Sequence, residues 1–360
     1  MSNPISNLQS PIAKPILVDA HQDLAWNKFA LARDFFESVA QKRVREGIVP
    51  AHGEGSALVG FPELLAGNVR IIFGTLFVAP HDPKNRSWGK MYQTAREAHD
   101  QAMDQMGYYA LLAADPRVAL ITTRDDLERV LRAEKKIGLV VLMEGADPIL
   151  APEQTQEWFD AGVRIVGPAW GQTRYAGGTH APGGLTALGR ALMPELERLG
   201  LILDVSHLAE QSFWDALDRF HGTVIASHSN CREFLPTDRH LSDAMIRALI
   251  ARDGVIGMVF YNGFIKAGWD KTARKETLTL ADLVRHAQRI CDFAGDALHV
   301  GIGTDFDGGF GMESTPHEID SVADLHKLGD ALSAAAFGDA DIANILGGNW
   351  IRVLRRALPA

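Results

Sequence analysis

Cysteine is almost absent. The 360 residues hold two, Cys231 and Cys291, far apart and outside any CxxC spacing. A stabilising disulfide framework is therefore excluded; both read as buried thiols, which suits a reducing compartment. Basic charge is in deficit, with 36 Lys and Arg against 45 Asp and Glu and a formal charge of −9. Phosphate recognition needs a basic face, so nucleic acid is not an expected partner, and neither is an anionic membrane surface. No apolar run approaches the ~18 residues of a membrane span. Met1 to Lys14 is polar and rich in Pro, Ser and Asn, without the apolar core of a secretory signal. Residues 1–14 thus read as a polar extension, and the default expectation is a cytoplasmic protein. Internal repeats and low-complexity tracts are missing too. The Gly-rich stretch Tyr175–Gly184 is followed by no Gly-Lys-Ser/Thr, so it reads as an exposed loop and not as a phosphate loop. A G-x-S-x-G nucleophile elbow is also lacking, which removes one route to a covalent intermediate.

What is present is a recurrence of short apolar runs rich in Val, Ile and Leu. Eight can be counted: Ile16–Ala20, Arg70–Val78, Gly138–Met143, Val163–Val166, Leu201–Val205, Thr223–Ala226, Val255–Phe260 and His299–Gly303. Runs that are continuous, not alternating, suit parallel strands buried on both faces. Amphipathic stretches lie between them, among them Ser87–Ala113, Thr186–Leu199 and Ser242–Ala251, the last opened by a Ser242 N-cap. Strand alternating with helix means a parallel α/β fold, and eight strands favour a closed (β/α)₈ TIM barrel over an open sheet. Residues 1–360 read as a single domain, a length that such barrels reach.

Polar residues collect just past these strands. The first run leads into His21-Gln22-Asp23, the third into Glu144, the fifth into His207 (DVSH), the sixth into His228 (ASHS) and the eighth into Asp305 (GTDFDGG). The C-terminal ends of barrel strands form the catalytic face, so five separate stretches deliver six residues of metal-ligand type to one rim. Imidazole and carboxylate suit zinc or a similar divalent ion. Glu144, the lone glutamate at this rim, is the natural bridge between two ions, which together activate water and polarise a carbonyl. Each residue alone has an ordinary explanation: a strand-end hydrogen bond, a core histidine, a helix cap, an Asx-turn. Coincidence at five strand ends is what ordinary explanations fail to produce. His52, His81, His99, His221, His286, His299, His317 and His326 show no partner pattern; His180 and His240 lie on loops near the rim.

The stretches VDAHQDLAWN, LMEGADP, GLTALGRALMPELERLGLILDVSHL, VIASHSN, GTDFDG and ILGGNWIRVL resemble the renal-type (membrane) dipeptidase family of metallopeptidases, from about Val18 to Leu354. The 21-residue interval from His207 to His228 fits as well. The resemblance implies that His21 and Asp23 bind one metal, that Glu144 bridges, and that His207 and His228 bind the second. It implies two divalent ions, most simply zinc from the ligand types, with Asp305 as acid/base and Arg239 on the substrate's free carboxylate, for which a guanidinium fork is suited. A homodimer and a small dipeptide-like substrate are implied in the same way. Two departures stand out. Trp170, within GPAWGQ, occupies a position where the family commonly has a histidine that steadies the tetrahedral intermediate; His180 is a candidate to replace it. Arg239-His240 stands for an Arg-Asn pair. The expected function is hydrolysis of a dipeptide bond by a metal-bridging hydroxide. The alternatives are hydrolysis of another small amide (a lactam, cyclic amide or N-acyl amino acid) and a non-catalytic metal-binding barrel.

Overall fold

A computed structural model describes residues 15–47, 53–81, 89–270 and 272–360. Eight parallel strands, labelled β1 to β8 here, run around a barrel: Leu17–Gln22, Val69–Phe77, Ile137–Glu144, Val163–Gly167, Ile202–Asp204, Val224–Ile225, Ile256–Met258 and Val300–Ile302. Each falls on one of the eight apolar runs. The hydrogen-bonded order is β7-β8-β1-β2-β3-β4-β5-β6. The seam between β6 and β7 carries a single parallel bridge, Ala226 to Ile256, with Ala226 N–H donating to Val255 at 3.0 Å and Gly257 N–H to Ala226 at 2.8 Å. A short ninth strand, Val118–Leu120, pairs with β3 outside this circuit.

Every residue of β1, β2, β3 and β4 is buried, as continuous apolar runs require when helices cover one face and the barrel core fills the other. Side chains alternate along a strand. In β1, Val18 and Ala20 join a cluster with Phe73, Val140, Leu142 and the C-terminal helix residues Trp350, Val353 and Leu354. Asp19 and His21 therefore take the opposite face of that strand. The register then fixes the rim: Glu144 pairs with Phe77 of β2 on one side and with Gly167 of β4 on the other.

Local sequence sets the helix starts. Thr94 caps Ala95–Ala113 in a reciprocal box with Glu97, Thr186 caps Ala187–Arg198, and Ser242 caps Asp243–Ala251. The first of these begins eight residues later than the amphipathic run suggested, because the Thr94-Glu97 box supplies the stop; Ser87 lies outside the described residues. The Gly-rich stretch corrects a second expectation. It is no exposed loop: Ala176–Gly178 is a buried strand that pairs antiparallel with Ala181–Leu185. A Cβ on Gly178 would stand 2.4 Å from the Gly171 carbonyl oxygen and 2.6 Å from that of Trp170, so glycine there serves close backbone packing. Cys231 is buried as expected, whereas Cys291 is partly exposed because it sits near the end of an amphipathic helix, Leu280–Ala294. Among the described residues no helix is long and apolar enough to cross a membrane.

Candidate metal centre

The six rim residues meet. His21 lies within β1 and Asp23 directly after it; Glu144 ends β3; His207, His228 and Asp305 each stand three residues past the ends of β5, β6 and β8. Three overlapping groups bring their ligand atoms within 4.8 Å of one another: His21, Asp23 and Glu144; Glu144, His207 and His228; His21, His228 and Asp305. Glu144 is central. Its Oε2 is 3.5 Å from His21 Nε2, and its Oε1 is 3.2 Å from His207 Nε2 and 3.6 Å from His228 Nε2. Asp305 Oδ1 lies 3.8 Å, and Asp23 Oδ1 4.0 Å, from His21 Nε2.

Local backbone aims these groups. His207 and Asp305 both adopt left-handed conformations, φ 66° and 61°. For a non-glycine residue that conformation costs about 1 kcal/mol or more and persists only where the surroundings impose it. Asp204, the last residue of β5, does much of this. Its Oδ1 accepts from the Ser206 and Ser227 amides at 3.0 and 2.9 Å, and its Oδ2 from the Ser227 hydroxyl at 2.5 Å. With its proton committed to Asp204, Ser227 Oγ is left to accept from His228 Nδ1 at 2.8 Å. Thr179 Oγ1 lies 2.9 Å from His207 Nδ1 and can accept from it in turn. A proton on Nδ1 leaves a bare lone pair on Nε2. Thr75 donates to Asp23 Oδ1. Asp19 accepts from the Thr304 amide at 2.8 Å and the Thr304 hydroxyl at 2.6 Å, which ties β1 to the turn that carries Asp305.

The electrostatics call for cations. His207 and His228 point their Nε2 atoms at each other across 2.9 Å. Burial, with Arg239 also nearby, depresses the His207 pKa to about 4, and burial and the neighbouring His21 hold His228 well below its usual value, so both are neutral near pH 7. With both rings protonated on Nδ1, two lone pairs at that distance repel unless a positive centre lies before them. Burial would lower the His21 pKa, but Glu144, then Asp23 and Asp305, override it and raise it to about 10. His21 Nε2 is buried without a hydrogen-bond partner. Burial first, and then the neighbouring carboxylates, push Asp305 well above the usual carboxylate range against the pull of His21. Three carboxylates, two neutral imidazoles and a third imidazole whose Nε2 makes no hydrogen bond form a donor set that fits divalent metal.

A cavity of about 270 Å³ opens over this cluster. Asp23, Glu144, His207 and Asp305 line its floor; Phe77 and Trp170 line one wall, and Tyr261, Phe264 and Phe310 another. Trp170 meets Phe77 edge-on at 5.2 Å, with its ring centroid 6.2 Å from that of His207. Arg239 also lines the cavity. It is buried, donates to the His228 carbonyl at 2.8 Å and to Ser229 Oγ at 3.3 Å, and has an Nε without a partner. His180 is at the cavity mouth with its side chain 81% exposed and its Nδ1 3.3 Å from Asp238. His240 is buried against Phe264, outside the cavity, with neither ring nitrogen bonded.

Several supporting residues had no place in the sequence reading: Asp19, Thr75, Thr179, Asp204, Ser227 and Asp307. Asp307 accepts from the Leu58 and Val59 amides at 2.8 and 3.1 Å and pairs with the buried Arg33 at 3.2 Å. Their available signal was a polar residue inside or just after an apolar strand, as in LVDAHQ and GTDFDGG.

Known proteins agree with this architecture. A solved M19 metallopeptidase, dipeptidase AC, superposes with a TM-score of 0.78 over 96% of this chain and 100% of its own, at 24% identity. A Rhodobacter sphaeroides metallopeptidase, solved with a phosphinate mimic of the dipeptide L-Ala-D-Ala, matches at TM-score 0.78 and 24% identity over 96% and 99% of the two chains. Among curated sequences, a Klebsiella pneumoniae protein known by its place 5′ of pqqA is 33% identical over 250 residues, 66% of this chain and 89% of that one. Dipeptidase aclJ of Aspergillus oryzae is 24% identical over 360 residues, 97% of this chain and 80% of that protein. The family model described as membrane dipeptidase, peptidase family M19, matches residues 7–358. With that match across nearly its whole length, the chain belongs to the membrane dipeptidase family, a family of metallopeptidase-type hydrolases.

Proposed function

We propose that the chain is a metal-dependent dipeptidase, built as one barrel domain, that hydrolyses the peptide bond of dipeptides. The observation that carries this reading is the convergence of His21, Asp23, Glu144, His207, His228 and Asp305 on one rim, with two neutral Nε2 atoms 2.9 Å apart and a third, on His21, buried and without a hydrogen bond. His21, Asp23 and Glu144 would hold one divalent ion, and Glu144, His207 and His228 the other; zinc suits this mixture of imidazole and carboxylate. Such ions, when bound, polarise the scissile carbonyl and make water nucleophilic near neutral pH.

The chain's own residues do the rest. Arg239 lines the cavity with a buried guanidinium, a group suited to pairing with a substrate carboxylate. Anchoring that end limits the substrate to two residues and turns remote binding energy into orientation of the carbonyl. Asp305, beside His21 on the cavity floor, takes the proton of the attacking water as the C–O bond forms. It then delivers that proton to the leaving nitrogen as the C–N bond breaks, giving a carboxylate and an amine. Its raised pKa suits a proton carrier, and cations beside it would draw that pKa back towards neutrality or below. Trp170 closes the wall by Phe77, excluding water there, and His180 stands at the mouth, held by Asp238. The phosphinate mimic carried by the R. sphaeroides relative makes L,D dipeptides candidates alongside L,L ones.

The test is amino-acid release from L,L and L,D dipeptides by zinc-loaded protein. Asp305→Asn should keep its metal and lose about 10²- to 10⁴-fold in turnover. Arg239→Met should harm free dipeptides more than their carboxyl-terminal amides. Turnover on no dipeptide would overturn the reading and favour another small amide, with Trp170, in place of a titratable side chain, as the residue that changed the substrate.

A further inference from the structure

Given the dipeptidase reading above, on which it rests, we infer that the site selects dipeptides whose carboxyl-terminal residue bears a large apolar side chain, aromatic by preference. The receiving surface is a box formed by Phe264, Tyr261 and Phe310.

This surface begins at Arg239. Its guanidinium carbon lies 5.3 Å from the Phe264 ring centroid. Phe264 meets Tyr261 edge-on at 4.9 Å, and Tyr261 meets Phe310 at 4.9 Å. A continuous run of ring faces therefore starts at the carboxylate anchor and follows the cavity wall. In an amino acid the side chain branches from the carbon next to the carboxylate. A carboxylate held by Arg239 puts that branch point within a few ångströms of Phe264, and the box is the nearest apolar surface for it.

Charge supports the same choice. The acidic and basic side chains lining the cavity are Asp23, Glu144, Asp305 and His207 of the metal centre, Arg239, and His180 at the mouth. Asp23, Glu144 and Asp305 are committed to the centre, and Arg239 to the substrate's terminus. Neither a carboxylate nor a cation is left on the box wall to pair with a charged side chain, so burying one there would leave its desolvation uncompensated. An aromatic ring instead gains edge and face contacts with three others. The box is also built to hold its shape: Phe310 is buried, and Tyr261 is braced from behind by Trp269, edge-on at 5.7 Å. A separate aromatic pair, Phe77 of β2 and Trp170 after β4, also lines the cavity and is left for the acyl residue.

The experiment compares kcat/KM of the zinc-loaded wild-type protein on Ala-Ala, Ala-Phe, Ala-Asp, Ala-Lys and Phe-Ala, with the second residue in whichever configuration is turned over. Ala-Phe should exceed Ala-Ala by roughly 10- to 100-fold, the worth of burying a phenyl ring that is held in the transition state. Ala-Asp and Ala-Lys should fall below Ala-Ala. In Tyr261→Ala and Phe310→Leu the Ala-Phe to Ala-Ala ratio should shrink, while the Phe-Ala to Ala-Ala ratio stays as in wild type; ratios within one protein are insensitive to how much of it folds. Dipeptide turnover without the Ala-Phe preference, or a preference untouched by both variants, overturns this inference alone. Turnover on no dipeptide overturns it together with the dipeptidase reading.

Discussion

Gly308 offers a sharp local perturbation of the centre. It follows Asp305-Phe306-Asp307 in the turn after β8, and its amide donates back to the Asp305 carbonyl at 3.0 Å. A Cβ built on it would stand 2.1 Å from Asp305 Oδ1 and 2.9 Å from Asp23 Oδ2. Carbon and oxygen in van der Waals contact sit about 3.2 Å apart or more, so Gly308→Ala must drive the Asp305 carboxylate back by about 1 Å, and Asp23 by a few tenths. The Asp305 backbone gives little room for accommodation, because its φ is already 61° and its amide is bonded to the His21 carbonyl at 3.2 Å. The displacement therefore falls on the side chain proposed to carry the proton. A misplacement of about 1 Å at a reacting group costs about 10²-fold in rate. The assay is steady-state turnover of a dipeptide, with thermal unfolding and metal content measured on the same preparation. Folded, metal-loaded Gly308→Ala should lose about 100-fold in kcat; turnover within about threefold of wild type would refute the placement of Asp305 in the reaction.

Two further perturbations probe stability. Gly107 lies exposed within the helix Ala95–Ala113, and a Cβ there would meet nothing within 4 Å. Gly107→Ala should stabilise by about 0.5–1 kcal/mol, visible as a small rise in Tm, and a fall in Tm would contradict it. His286 is buried with Nδ1 3.0 Å from the Cys231 amide and Nε2 3.1 Å from the Ile265 carbonyl, so the native ring is neutral and protonated only on Nε2. Burial lowers its pKa from 6.5 to about 4. As pH falls through 6.5 the unfolded chain takes up this proton first, so stability present above pH 6.5 is lost down to about pH 4, by on the order of 3 kcal/mol. His286→Gln, whose amide accepts and donates at the same two points without titrating, should flatten the fall of Tm between pH 7 and 5; an unchanged slope would show that His286 is not its source.

The barrel was legible because buried parallel strands are continuous in their hydrophobicity, a signal that survives without knowing their neighbours. The rim was legible for a related reason: His21, Glu144, His207, His228 and Asp305 interrupt or follow those runs at equivalent places. What escaped depends on cross-strand proximity. Nothing in DVSH and ASHS says that Asp204 bonds Ser227 and so sets the tautomer of His228; that follows only once β5 and β6 lie in register, Asp204 opposite Ile225. The stretch around Gly178 was misread because glycine-rich composition is shared by exposed turns and by strands into which other backbone packs tightly. Arg33 and Asp307, 274 positions apart, form an ion pair that no local pattern announces.

The central claim is a two-metal centre bridged by Glu144 that performs the hydrolysis. It is tested most directly by elemental analysis of purified protein before and after chelation, with dipeptide turnover followed in parallel, in wild type and in Glu144→Gln. The wild-type chain should carry about two divalent ions, its turnover should vanish on chelation and return with zinc, and Glu144→Gln should bind metal weakly and be inactive. Turnover that persists in fully stripped protein, or a wild-type chain that binds no metal at any concentration, would contradict it.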